Sequence, residues 1–171
     1  MIDTSKFKPK TVYVTYIAAT PDKVWAALTS PDFTRQYFFG RTIELEEKAG
    51  GRFVLRMADG RIDVAGRVVD YDPPRRLSMT WRVEWNEMMR KLPECLVSYE
   101  IEAVDGAVRL TLTEAYSWNV PDDLLAGGRM GWPLILSSLK SLLETGKPIV
   151  VKLEPPKEMI AAVERAVGDK E

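Results

Sequence analysis

The chain has 171 residues and a mass of 19.4 kDa, which suits one domain with roughly 8,500 Å² exposed out of about 28,000 Å² in the extended chain. Hydrophobic residues make up 46% and charged residues 29%, which excludes disordered, collagen-like and coiled-coil chains. With 24 Lys plus Arg against 25 Asp plus Glu the net charge is -1, so no excess of positive charge is available to track a phosphate backbone, and nucleic acid is not an expected partner.

In chain order, residues 11–18 alternate Val12, Val14 and Tyr16 against Tyr13, Thr15 and Ile17, a β-branched and aromatic enrichment that predicts a strand with both faces partly covered. Thr20 then stands as an N-cap before Pro21, which starts a short helix through Thr29 with Val24, Trp25 and Leu28 on one face. Trp25 reads as core. Ser30 and Pro31 repeat the signal for a second short helix that carries Phe33 and ends near Tyr37. From Arg41 the period changes to two: Ile43 and Leu45, then after Gly50 and Gly51 the series Phe53, Leu55 and Met57. Ile62, Val64, Gly66 and Val68 follow, and after a turn at Asp72, Pro73 and Pro74 come Leu77, Met79, Trp81, Val83 and Trp85 with polar residues between. Val97, Tyr99 and Ile101 lead to a turn at Asp105 and Gly106, and the return strand sets Val108, Leu110, Leu112, Glu114 and Tyr116 on one face.

After Pro121 the spacing of Leu124, Leu125, Met130, Trp132, Ile135, Leu136, Leu139, Leu142 and Leu143 is helical, and Gly146 ends it as a C-cap. Pro133 lies inside this stretch, so a kink or a break between two helical pieces is expected there. Residues 156–167 put Met159, Ile160, Val163 and Val167 on one face of a short amphipathic element, which docks by default on its own domain and otherwise on a second subunit. The expected fold is α+β: a curved antiparallel sheet of six to seven strands around a long C-terminal helix, with two short helices after the first strand. Residues 1–149 form the domain and 150–171 a C-terminal appendage.

Histidine is absent, which removes His-dependent triads, imidazole bases and His-containing metal sites. The one cysteine, Cys95, has no imidazole partner and reads as a buried apolar residue. Gly50-Gly51 and Gly127-Gly128 lack the spacing of a phosphate loop and read as turn or hinge glycines, so no cofactor is expected. Arg75, Arg76, Arg35 and Arg41 read as solvated loop residues. The first ten residues contain no apolar run of signal-peptide type, and no stretch approaches the roughly 20 apolar residues of a membrane span; a cytoplasmic location is expected.

Thr-Pro-Asp-Lys-Val-Trp at 20–25, Tyr-Asp-Pro-Pro-Arg-Arg-Leu at 71–77 followed by Thr80-Trp81, and Gly-Trp-Pro at 131–133 running into Leu139-Lys140 and Leu143-Glu144-Thr145-Gly146 resemble the START-like (SRPBCC) superfamily. More closely they resemble its branch homologous to the C-terminal domain of the activator of the heat-shock protein 90 ATPase, over roughly residues 10–149. The resemblance implies a helix-grip fold around a hydrophobic cavity used across the superfamily for lipids, sterols, polyketides or other apolar molecules.

The inward series nominates Phe53, Leu55, Val68, Trp81, Val83, Trp85, Tyr99, Leu112, Glu114, Tyr116, Met130, Trp132 and Leu136 as ligand-binding. Trp81 and Trp85 are divided evenly between pocket wall and packed core. Trp132 is the best aromatic candidate, because a helix break beside it would open space. Glu114 is the most informative polar residue, since a carboxylate on an apolar face is costly unless paired, hydrogen-bonded or protonated. Its ordinary fate is a salt bridge to an Arg or a wet strand end; the sharper one is to fix the polar end of an apolar ligand, with Tyr99 or Tyr116 as hydroxyl donor. Three functions compete: non-catalytic binding of a small apolar molecule, a chaperone- or stress-linked protein-interaction module, and a His-independent cyclase-like enzyme using Glu114. The first leads.

Overall fold

The computed structural model describes residues 2–168. β1 (Lys8–Ile17) is followed by α1 (Pro21–Thr29) and α2 (Pro31–Tyr37), then by β2 (Thr42–Leu45), β3 (Arg52–Arg56), β4 (Ile62–Asp72), β5 (Arg76–Val83), β6 (Cys95–Val104) and β7 (Ala107–Tyr116). A 3-10 turn at Asp122–Leu125 leads directly into α3 (Ala126–Thr145), and α4 (Lys157–Gly168) closes the described chain. The strands form one antiparallel sheet in the order β1-β7-β6-β5-β4-β3-β2, so all links except β1 to β7 join neighbours in sequence. The surface is 9066 Å², close to the value expected from mass.

Local chemistry sets the boundaries. Thr20 caps α1 through its side chain, which accepts from the Lys23 amide at 3.3 Å, and Pro21 and Pro31 open the two short helices. Gly146 ends α3 in the left-handed region at φ 80°. The sheet bends where β4 meets β5: the register breaks between Val68 and Asp70, and a Cβ on Gly66 would lie 1.9 Å from the Thr80 carbonyl oxygen. Only glycine permits that approach.

The concave face and α3 enclose one large core, with Ile17, Val24, Val68, Leu77, Leu110, Leu112 and Leu139 essentially inaccessible. A second cluster joins α4, through Ala162, Val163 and Val167, to Val120, Leu124 and Leu125. On the convex face Phe7 covers Leu96 and Ala115.

Four expectations change. α3 runs unbroken through Pro133; the Trp132, Ile135 and Leu136 side chains around it are buried, and that packing holds the helix across the missing N–H. β1 is an edge strand whose outer face is bare, with Val12 at 58% exposure and Val14 and Tyr16 close behind, because nothing packs on that side. In α4 the docked face is Met159, Ala162, Val163 and Val167, which leaves Ile160 turned toward solvent. Gly127 and Gly128 lie inside the first turn of α3, where neighbouring side chains press on the helix backbone.

Candidate functional site

Between the sheet and the N-terminal half of α3 lies a cavity of about 430 Å³. It exists because α3 presents Gly127, Gly128 and Gly131 to the interior on its first two turns, where its later turns present Ile135, Leu136, Leu139 and Leu142. Other groups use part of the vacated space. A Cβ on Gly127 would lie 2.1 Å from the Met159 sulfur, one on Gly128 would lie 2.6 Å from Glu114 Oε1, and one on Gly131 would touch Leu153 at 3.7 Å.

Aromatic rings make the apolar wall. Trp81 and Trp132 meet with centroids 5.3 Å apart at 58°, and Phe38 stands edge-on to Trp132 at 5.9 Å. Phe53 and Tyr99 support these indoles from behind, Phe53 against Trp81 at 5.4 Å and Tyr99 edge-on to Trp132 at 6.4 Å. Such offset and edge contacts suit the ring quadrupoles and fix ring orientation. Val64 and Ile135 complete the floor, and the segment around the 3-10 turn Met89–Lys91, with Leu92 and Pro93, forms one rim. The opposite rim is the strap Leu153–Pro155 and Met159 of α4.

Glu114 sits at the polar end. The β1–β7 register places it opposite Thr11, whose hydroxyl donates to Oε1 at 2.8 Å. The Tyr116 hydroxyl, two residues along β7, donates to Oε2 at 3.4 Å, and the Trp132 indole adds a third neutral donor. Glu114 is buried, at 7% exposure, and among the described residues no Lys or Arg forms an ion pair with it. Neither the expected salt bridge nor the wet strand end is found, because the facing positions carry hydroxyls and an indole. Burial pushes its carboxyl above the ordinary carboxylate value against these hydrogen bonds and the more distant Arg129 charge. Burial likewise raises the Cys95 thiol and the Tyr99 and Tyr116 phenols, with the Glu114 charge adding to each. Cys95 is therefore a poor nucleophile.

A second polar patch lies across the cavity, where Arg41 binds Asp63 at 2.6 Å. Arg41, expected as a solvated residue, is mostly buried there, because the Asp63 carboxylate and the Phe39 carbonyl both accept from its guanidinium.

Of the thirteen nominated residues, Trp81, Val83, Trp85, Glu114, Tyr116 and Trp132 line the cavity. Trp85 stands at the rim past the end of β5, 37% exposed. Phe53 and Tyr99 lie one layer back, while Leu55, Val68, Leu112 and Leu136 belong to the closed core. Met130 is on the outer side of α3, 42% exposed. Phe38, Arg41, Asp63 and the glycines were missed. Gly at 127, 128 and 131 at the start of a helical pattern was a signal available for the open end alone, since helical glycine is unfavourable without a packing reason; Phe38, Arg41 and Asp63 carried none.

Among the described residues no group of three or more Cys, Asp or Glu is arranged to hold a metal ion, and no helix is long and apolar enough to cross a membrane. The site offers two buried carboxyls, Glu114 held by neutral donors and Asp63 paired with Arg41, beside an aromatic slot.

Comparison with known proteins places this geometry. No curated protein matches the chain. Among solved structures, CalU16 from Micromonospora echinospora is 20% identical, with 99% of this chain and 95% of that one covered at a TM-score of 0.66. The Aha1 dimer from Colwellia psychrerythraea is 21% identical over 80% of this chain and 96% of that one, at 0.63. DynU16, from the dynemicin biosynthetic locus, is 25% identical at 0.68 over 80% of this chain but 48% of that one, so the present chain spans about half its length. The family described as Activator of Hsp90 ATPase homolog 1-like protein matches residues 18–144, from the end of β1 to the last turn of α3, and the chain belongs to that family.

Proposed function

We propose that this protein binds a small hydrophobic molecule in the cavity between sheet and α3, without transforming it, in the cytoplasm. The observation that carries this reading is the 430 Å³ space walled by Phe38, Trp81 and Trp132, with Glu114, a buried carboxyl that has no ion pair among the described residues, at one end. An aromatic, largely apolar concavity with few polar groups is the common form of a small-molecule site. Similarity to CalU16 and to DynU16, a protein of a biosynthetic locus, is compatible with a polycyclic or polyketide-like ligand. The absence of histidine and the raised Cys95 thiol speak against nucleophilic or imidazole chemistry.

Native mass spectrometry of protein purified from its own cells, set against its denatured mass and followed by solvent extraction, tests the reading. A stoichiometric non-covalent adduct that disappears in Gly131→Leu is the expected result. A bare mass, with no thermal stabilisation by fatty acids, sterols or flavonoids, would overturn it.

The bare outer face of β1, with Val12, Val14 and Tyr16 exposed in a row, favours a second reading, a module that contacts a chaperone or a second copy. The Colwellia relative is a dimer. Sedimentation of the ligand-free protein with and without Val14→Glu separates the two: a mass change confined to the variant supports the surface, and a monomer in both removes the homodimer.

A further inference from the structure

The charges around the cavity do not balance. Its walls contain two arginines, Arg41 and Arg82, against three carboxyls, Asp63, Glu114 and Glu154. Arg41 is bound to Asp63, Arg82 to Glu84, and Glu154 to Lys152. Glu114 is left with hydrogen bonds from neutral groups only, from Thr11, Tyr116 and Trp132. Among the described residues, the guanidinium whose charge reaches it, that of Arg129, is held by Asp122 through two bonds of 2.8 and 3.1 Å.

A buried carboxyl satisfied by hydroxyls still lacks a counter-charge, and the open cavity is the side from which one can come. The adjoining surface suits a cation as well. Indole faces attract ammonium groups more strongly than other aromatic rings do, and Trp81 borders this space, while Trp132 turns its N–H toward Glu114 and packs against Trp81 with centroids 5.3 Å apart. An anionic ligand would meet Glu114 with like charge, and a neutral alcohol would gain one hydrogen bond without the charge pairing.

The geometry points to a cavity that selects a lipophilic amine in its protonated form, the ammonium against Glu114 and the apolar body between Trp81, Trp132 and Phe38. This rests on the small-molecule binding proposed above and adds the charge and polarity of the ligand. The titratable groups facing Glu114 are Tyr13 from β1, Cys95 and Tyr99 from β6, Tyr116 from β7 and Arg129 from α3. Burial raises the phenols and the thiol, so Glu114, the one carboxyl of this group, is the member that ionises first as pH rises. Since burial raises its carboxyl, and an ammonium stabilises the charged form, affinity for an amine increases with pH until the carboxyl is fully ionised.

Calorimetric titration of the full chain with 2-(2-naphthyl)ethylamine, 2-(2-naphthyl)ethanol and 2-naphthylacetate tests the assignment. At about pH 7.5 the amine is expected to bind at least about tenfold tighter than the alcohol, with the acid weakest, and Glu114→Gln brings the amine-to-alcohol ratio near one. Equal affinities for amine and alcohol in the unaltered protein would overturn the amine assignment while leaving the cavity as a binding site. Failure of all three to bind would overturn both. Should Glu114→Gln fail to fold, the unaltered protein decides: amine affinity that rises from about pH 5 to about pH 8 while alcohol affinity stays level supports the assignment, and parallel profiles overturn it.

Discussion

The two ends of α3 face the same sheet with opposite results. At the C-terminal end Leu136, Leu139 and Leu142 pack into a buried core with Ile17, Leu110 and Leu112. At the N-terminal end Gly127, Gly128 and Gly131 withdraw the helix surface, and the gap is shared between Met159, Glu114, Leu153 and the cavity. The sheet differs less, since its inward-facing positions are apolar at both ends apart from Thr11, Glu114 and Tyr116 at the open one. Whether this fold encloses a core or a site is decided by side-chain volume on one helix.

The sharpest way to break the comparison is at the closed end. Leu139→Ala removes a side chain with no exposure, and with little room for collapse it should cost about 2–5 kcal/mol, read by urea unfolding, while affinity of the 430 Å³ cavity for the proposed amine stays unchanged. A comparable loss of ligand affinity would show that the two ends are one mechanical unit. At the open end, Met159→Ala removes the side chain seated on Gly127 and should cost about 2 kcal/mol, concentrated in α4. Hydrogen exchange should rise in residues 157–168 and stay unchanged in β6 and β7.

A smaller effect has the opposite sign. Gly131→Ala adds a methyl at ordinary contact distance, 3.7 Å from Leu153, and should stabilise by about 0.5–1 kcal/mol through helix propensity while shrinking the cavity. Destabilisation there would mean that the second turn of α3 tolerates no side chain at all. The smallest effect is one of slope. Because the Glu114 carboxyl is raised in the folded protein, the folded state holds more protons than the unfolded one above the ordinary carboxylate value. Stability therefore declines as pH rises from the ordinary carboxylate value toward the raised one, and Glu114→Gln should flatten that decline in denaturation series run upward in pH.

The alternation from Phe53 to Tyr116 was enough to predict the sheet, and Thr20-Pro21, Ser30-Pro31 and Gly146 marked the helices to within a residue. The cavity lining was legible where alternation assigns a face: Trp81, Glu114, Tyr116 and Trp132 are on the inward side and line the cavity. Periodicity assigns a face but no depth, which is why Val68 and Leu112 share the face of Trp81 yet sit in closed core. It is also silent on segments without a period. The rims at Leu92-Pro93 and Leu153–Pro155 are set by tertiary contact, and Arg41 is drawn inward by Asp63, 22 positions away.

The edges of the sheet bear on behaviour at high concentration. β1 carries Pro9, which has no N–H to give a neighbouring strand, between Lys8 and Lys10, and its pairing with β7 slips between Pro9 and Thr11. At its other end the Tyr16 carbonyl accepts from Lys140 and the Ala18 amide donates to Glu144, two side chains of α3 that form an ion pair of their own. The far edge, β2, is four residues long. Lysines, proline and short length are the devices by which open sheets resist recruiting further strands, so self-association through sheet extension, the first step toward a fibril, is obstructed at both ends.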